Sequence, residues 1–370
     1  MNASATSASH PYAGLPPNAF WRSAVATIPP QQISGVWKPK WSVDPGTPIA
    51  TAGSCFAQHI SKALVARGYS WFNAENPPKR MTPETRKAYN YDIFTFRTGN
   101  IYTARLLRQW VSWAVGESTP PNEIWPANGR YIDPFRPTIE PNGFASPEEL
   151  LASRQVTLNA IRRTIETAHT FVFTLGLTEA WVNRPAGYVY PMCPGVAGGV
   201  FDANVNAFKN FTFTEIYDDL QETLAILRRA RSGMRLLLTV SPVPLVATAS
   251  ADHVLVATIH SKSILRAVAG QLASERANVD YFPSFELISS FPFKGAFYEA
   301  NLRDVKPEGV NFVMASFFSP FGEPAVGAAR TERAPEPAAT LDEPASDPAE
   351  DVVCEESLLS IFAPKEGEAR

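Results

Sequence analysis

Cysteine is scarce in this chain, with three copies in 370 residues. Cys55, Cys193 and Cys354 are too scattered for a disulfide framework, and none belongs to a Cys-x-x-Cys pair. Histidine is little commoner, at five, and no His/Cys group has zinc-ligand spacing, so no metal is expected. No organic cofactor is implied either. Long apolar runs are also missing. The most hydrophobic stretch, Leu236 to Ile259, is broken by Pro242, Pro244, Asp252 and His253, whereas a membrane span takes ~20 apolar residues. The opening MNASATSASHPYAGLPP lacks a basic patch followed by an apolar one. No secretory leader is expected from it, and the cytoplasm is the expected location. Basic blocks are absent too, which argues against a nucleic-acid partner.

Enough remains to build a large core: 45% of residues are hydrophobic and 11% aromatic. The net charge of −3 conceals an asymmetry, because residues 321–370 carry −8 and the rest +5. Residues 1–11 are expected to be flexible and 12–320 to form one α/β domain. The Pro/Ala/Glu-rich stretch 321–350 has too little apolar content to offset the entropy of ordering and is expected to be disordered. Residues 351–370 form an acidic tail in which Val352, Val353, Leu358, Leu359, Ile361 and Phe362 return as a short apolar burst. Such a burst after a linker suits a docking motif, through residues 351–362, for a protein partner or for the chain's own domain. The N-terminal arm holds Phe20, Trp21, Trp37 and Trp41, and is read as irregular chain packed on the domain.

Strand-like runs alternate with helical patterns between these ends. Ile49 to Ala52 reads as a strand ending at Gly53, followed by Phe56, Ile60 and Leu64 at helical spacing. Further helices are expected over Tyr102–Trp113, Val156–Ala168, Ile216–Leu227, Val256–Ser274 and from Pro307 onward. Strands are expected at Phe171–Leu175, Arg235–Val240 and Val279–Phe282. This order predicts a three-layer α/β/α sandwich around a parallel sheet. Ligands of such sheets sit at the carboxyl ends of strands.

The first strand runs into Gly53-Ser54-Cys55-Phe56-Ala57. Glycine permits a sharp turn, and Ser54 then faces the open end of the sheet beside backbone N–H groups able to hold an oxyanion. A serine there is equally an ordinary helix cap. Cys55 is the rival nucleophile, or else a small buried hydrophobe. The aromatic loops Trp125–Phe135 and Trp181–Tyr190 either stack on flat substrates or pack beneath long loops, and packing is the expected role.

The string GSCFA, with HPYAGLPPNAFW, YNYDIFTFRTGNIYTARLLRQW, FTLGLTEAW and LTVSPVPL in order, resembles the GSCFA family, which is grouped with SGNH (GDSL-like) hydrolases. The resemblance implies a flavodoxin-like fold and a serine ester hydrolase or acyltransferase, acting on a small-molecule or glycan ester. It makes Ser54 the nucleophile, Gly99 an oxyanion-hole glycine beside the Ser54 N–H, and Thr178 the occupant of a place that commonly holds Asn. The last block, YEANLRDVKPEGV, keeps Asp304 but has Lys306 before Pro307 where His is usual. A serine needs a base within reach. His253, in the connection after Val240, is the substitute base, with Asp304 completing the set. His260 falls inside the next helix, His59 on another face of the helix after Ser54, His169 at the far end of the sheet and His10 in the arm. Ser54, Gly99, Thr178, Ser241 and the Asp304 loop are expected to line one pocket, with Gly53, Cys55, Asn100, Glu179, Arg303 and Lys306 around it. The competing expectation is a binding module in which the fold persists and the catalytic set has decayed.

Overall fold

The computed structural model describes residues 10–322 and 352–363. Four parallel strands form the centre: β1 (Ile49–Gly53), β4 (Thr170–Leu175), β8 (Arg235–Val240) and β9 (Val279–Phe282), paired in that order. Alternate side chains leave a strand on opposite faces, and the core divides accordingly. Phe171, Phe173, Leu236, Leu238 and Val240 enter one apolar cluster, while Ile49, Val172, Leu237 and Phe282 enter a second on the other face.

The first cluster is covered by α3 (Ala104–Val115), α4 (Pro147–Thr167), α5 (Phe213–Ala230) and α6 (Val254–Glu275). The second is covered by α1 (Ala57–Ala66), α7 (Ser284–Ser289) and α8 (Pro307–Phe318), together with the N-terminal arm. This is the expected three-layer arrangement. A short helix, α2 (Pro83–Ala88), completes the set. α4 begins well before Val156, because Ser146 caps the Glu149 N–H at 3.2 Å and Pro147 opens the first turn.

Two small antiparallel sheets decorate this frame: β2 (Trp125–Ala127) with β3 (Arg130–Ile132), and β5 (Glu179–Asn183) between β6 (Val189–Tyr190) and β7 (Asn206–Asn210). The sequence reading had loops there. Trp125, Phe135 and Tyr190 are buried, so those aromatics pack as expected, whereas Trp181 is half-buried.

Beyond β1 the sheet continues as a single parallel bridge from Ile49 to Trp71. The chain therefore leaves β1 toward one side and re-enters at β4 on the other, and such a reversal opens a crevice at the carboxyl end of β1. In the arm, Trp37 is buried against Phe282 and Phe317, while Trp21 stays exposed and stacks on Phe291 at 5.5 Å. No helix among the described residues is long and apolar enough to cross a membrane. Most of the stretch expected to be disordered, and residues 1–9 of the arm, lie outside the described residues. The tail segment 352–363 folds back over the carboxyl edge of the sheet, with a 3₁₀ helix from Glu355 to Phe362.

Candidate active site

Gly53 closes β1 with φ +131°, and a Cβ there would lie 2.6 Å from the Thr174 backbone nitrogen. No side chain is tolerated in that conformation or that space. Gly53→Ala is expected to destabilise the domain by about 3 kcal/mol or more, read from the urea midpoint. An unchanged midpoint would mean that β1 and β4 can part locally at no cost. The turn delivers Ser54, 2% exposed, to the end of the strand. Its Oγ has no hydrogen-bond partner among the described residues. Its backbone N–H donates to Thr174 O at 3.0 Å, so it is not free to hold an oxyanion.

The donor beside Ser54 comes instead from the loop before α3. Ile101 N–H donates to Gly53 O at 2.8 Å, and Tyr102 O accepts from both Gly176 and Leu177 at 3.0 Å. These bonds tie the loop to β1 and to the turn after β4, where Gly176 lies against Ser54 Cβ. Gly99 has φ +70°, and any Cβ on it would overlap Glu355 Oε1. The next amide, Asn100 N–H, donates to Glu355 Oε2 at 3.2 Å, and Thr138 Oγ1 donates to Glu355 Oε1. An amide of the loop bonded to the end of β1 thus already holds a carboxyl oxygen.

Seven more tail contacts complete the cover. Gln58 bonds both backbone groups of Val353, its Nε2 donating to the carbonyl at 2.7 Å and its Oε1 accepting from the N–H at 3.0 Å. Asn100 Nδ2 donates to the same carbonyl at 3.1 Å. Glu356 N–H donates to Tyr102 Oη at 3.1 Å, and Glu356 Oε1 accepts from Val246 N–H at 3.1 Å. Arg303 Nη2 reaches Cys354 Sγ at 3.5 Å and Glu356 Oε2 at 3.4 Å.

The electrostatics of this cluster are dominated by burial. Loss of water pushes Glu355 and Glu356 up to about 7 each. The Cys55 thiol is raised by its hydrogen bond to Cys354 and by burial, while the same bond, with Arg303, lowers Cys354 to about 5. Cys55 therefore keeps its proton and is a poor nucleophile in this arrangement. Lys262 on α6 is 1% exposed and donates to Gly176 O at 2.7 Å. Burial brings it down to about 8, against the pull of Glu356.

The remaining sequence-predicted residues separate into two groups. Gly53, Ser54, Cys55, Gly99, Asn100 and Arg303 gather around the tail. His253 does not join them: it caps α6, its ring exposed and its Nδ1 accepting from Leu255 N–H at 3.1 Å. No histidine hydrogen-bonds Ser54 Oγ. His260 and His169 are exposed, and His10 lies in the arm. His59, on α1, is lowered to about 4 by burial and by Lys62.

Asp304 is likewise exposed, bonded to Asn301 and Arg303 rather than to an imidazole. Lys306 caps α8 and its Nζ donates to Ala296 O at 3.4 Å. Thr178 is buried, but its N–H donates to Ser261 Oγ at 3.0 Å and its hydroxyl to Asn210 Oδ1 at 2.6 Å, leaving it no donor for an oxyanion. Ser241 is spent on local structure, with its N–H on Leu175 O and its Oγ accepting from Val243 N–H.

Beside the tail lies a cavity of about 420 Å³, walled by Leu177, Trp181, Met192, Phe201 and Phe208, with Glu179 and Thr248 at its polar side. Glu356 and Leu359 form the wall toward the tail. Glu179 accepts from Thr248 Oγ1 at 2.8 Å and is raised by burial. Among the described residues no group of three or more His, Cys, Asp or Glu is placed to hold a metal ion.

Sequence reasoning missed Lys262, Thr138, Gln58 and the acidic pair Glu355–Glu356. No local pattern marks the first, because Lys262 sits among His260, Ser261 and Ser263.

The family model described as the GSCFA family matches residues 48–317. No curated protein matches the chain.

Proposed function

The chain belongs to the GSCFA family, and from that premise we propose that it is a serine ester hydrolase or acyltransferase of SGNH type, with Ser54 as its nucleophile. One observation carries the reading: Ser54 Oγ is buried and unbonded among the described residues at the end of β1, and the loop bonded to that strand end through Ile101 N–H carries an Asn100 N–H that already binds a carboxyl oxygen. A donor that holds an anion in the resting protein suits the oxyanion that forms when Ser54 adds to a carbonyl.

Lys262 is the base of this reading, because its Nζ bonds Gly176 O in the turn that packs against Ser54 Cβ, and burial weakens its hold on its proton. Neutral Nζ takes the Ser54 proton as Oγ bonds to the ester carbon, then returns it to the departing alcohol oxygen. Water or an acceptor hydroxyl next releases the acyl group from Ser54. The apolar cavity suits the acyl arm of the substrate, an acylated small molecule or glycan.

A base must be neutral to act, so activity is expected to rise with pH and level off once Lys262, held at about 8 while the tail is docked, has lost its proton. Lys262→Met should remove that rise together with most of the activity. A serine-directed phosphonate should label Ser54 once the tail segment is displaced, and nothing in Ser54→Ala. The second reading, a non-catalytic binding module, draws on the lack of any imidazole on Ser54 Oγ. It prevails if the phosphonate labels no residue and no activated ester is cleaved.

A further inference from the structure

The tail docks the opposite way from what its composition suggests. Its apolar residues Leu358, Ile361 and Phe362 are 36%, 68% and 65% exposed, whereas Glu355 and Glu356 are 4% and 8% exposed. Apolar burial does not account for that choice, since burying a carboxylate costs several kcal/mol unless donors receive it. The donors are present. Asn100 N–H and Thr138 Oγ1 meet Glu355, and Val246 N–H and the Arg303 guanidinium meet Glu356, with Lys262 close by.

Between these two anion subsites, the Gln58 amide pairs with the N–H and carbonyl of Val353 as a neighbouring strand would. Among the described residues, Ser54 Oγ, Asn100 Oδ1 and Arg303 Nε remain buried without partners around the tail. A settled core rarely leaves three such atoms together. A ligand site holding a substitute occupant would.

We propose that the cleft over Ser54 is a peptide-binding groove for an acidic chain, and that its resident occupant is the protein's own Val353–Glu356 segment, extended up to Cys354 and turning into a 3₁₀ helix at Glu355, which must leave before a substrate reaches Ser54. Backbone pairing by Gln58 makes the groove tolerant of side chains at Val353, and the two anion subsites require consecutive acidic residues after it. Removing the segment also takes Glu356 out of the wall of the apolar cavity. The catalytic consequence rests on the acyl-transfer reading, but the binding does not.

The test follows Cys55, 5% exposed and in contact with Cys354, in full-length protein. N-Ethylmaleimide alkylation of Cys55, mapped by peptide mass spectrometry, should be roughly tenfold faster or more in Glu355→Lys/Glu356→Lys than in wild type, because the rate follows the open fraction. Adding a synthetic peptide of residues 351–363 should restore protection by mass action. The same peptide with both glutamates changed to lysine should not. Gln58→Ala, which leaves the charges alone, should accelerate alkylation as well, and it decides the matter if the double variant does not fold.

Equal protection of Cys55 in wild type and in a folded variant overturns the proposal, as does equal restoration by both peptides. The phosphonate reads the other question separately. If Cys55 opens while Ser54 stays inert in every form, the groove stands and the acyl-transfer reading falls.

Discussion

Ser54→Ala in the tail-opened background is expected to lower ester hydrolysis by ~10³-fold or more, the cost of removing the nucleophile from a catalytic unit. Ser54 is enclosed, so the substitution should leave the fold intact: it deletes one oxygen that bonds nothing among the described residues. Stability should be unchanged or slightly higher, since a buried polar atom without a partner is removed. Loss of activity without loss of stability is the signature sought, and kcat should carry the change. Lys262→Met combined with Ser54→Ala should be no worse than Ser54→Ala alone, because members of one unit are not additive. Cys55→Ala should retain activity, its thiol being held protonated against Cys354. Activity that survives Ser54→Ala and disappears in Cys55→Ala would transfer the nucleophile to the cysteine.

Asp133→Ala is expected to destabilise the domain by ~3–5 kcal/mol, the usual cost of stranding buried charges. Both oxygens of Asp133 are enclosed by cations: Arg136 Nε at 2.9 Å, Arg154 Nη2 at 2.8 Å and Arg154 Nε at 3.1 Å, with Phe135 N–H at 3.0 Å. The carboxylate is 1% exposed, and so is the Arg136 side chain. Burial pushes the Asp133 acid up, but the two guanidiniums outweigh it and hold it below its ordinary value. Its contribution is therefore present above the ordinary Asp range and lost as the pH falls through the lowered one.

Arg136 also donates to Thr157 Oγ1 and to Arg97 O, so the network supports the loop that carries Gly99 and Asn100. Asp133→Ala should weaken tail docking as well as stability, measured by the urea midpoint and by Cys55 alkylation. A midpoint within 1 kcal/mol of wild type would show that Arg136 and Arg154 find other acceptors.

Much of the scaffold was legible in the chain. Apolar runs such as Phe171–Leu175 and Arg235–Val240 announced fully buried parallel strands, because both of their faces meet helices. Gly53 and Ser54 stood out for the same local reason: a strand that must turn within one residue needs glycine, and the following residue is then displayed at the sheet edge. The start of α5 went unread although it too is local, Thr212 and Glu215 forming a capping box ahead of the expected Ile216–Leu227.

Local pattern failed where long-range pairing decides. The antiparallel β5–β7 ladder joins Glu179–Asn183 to Asn206–Asn210 across a stretch with no alternating signal. His253 was chosen because it follows β8, yet an α6 cap directs its ring to the Leu255 amide and solvent. Lys262 read as an ordinary helix residue until α6 packed its face over the Gly176 turn.

Sequence by itself determined the sheet, its helices, the glycine turn and the serine at its end, since each rests on neighbours a few residues apart. The tertiary structure alone decided what surrounds that serine, because Gln58, Asn100, Thr138, Lys262, Arg303 and Glu355 meet only when the sheet's carboxyl edge brings distant loops together. In the structure the tail folds back on its own domain, one of the two occupants expected for it, but through different residues. Composition marked its apolar residues for burial, but preplaced N–H, hydroxyl and guanidinium donors bound its carboxylates instead.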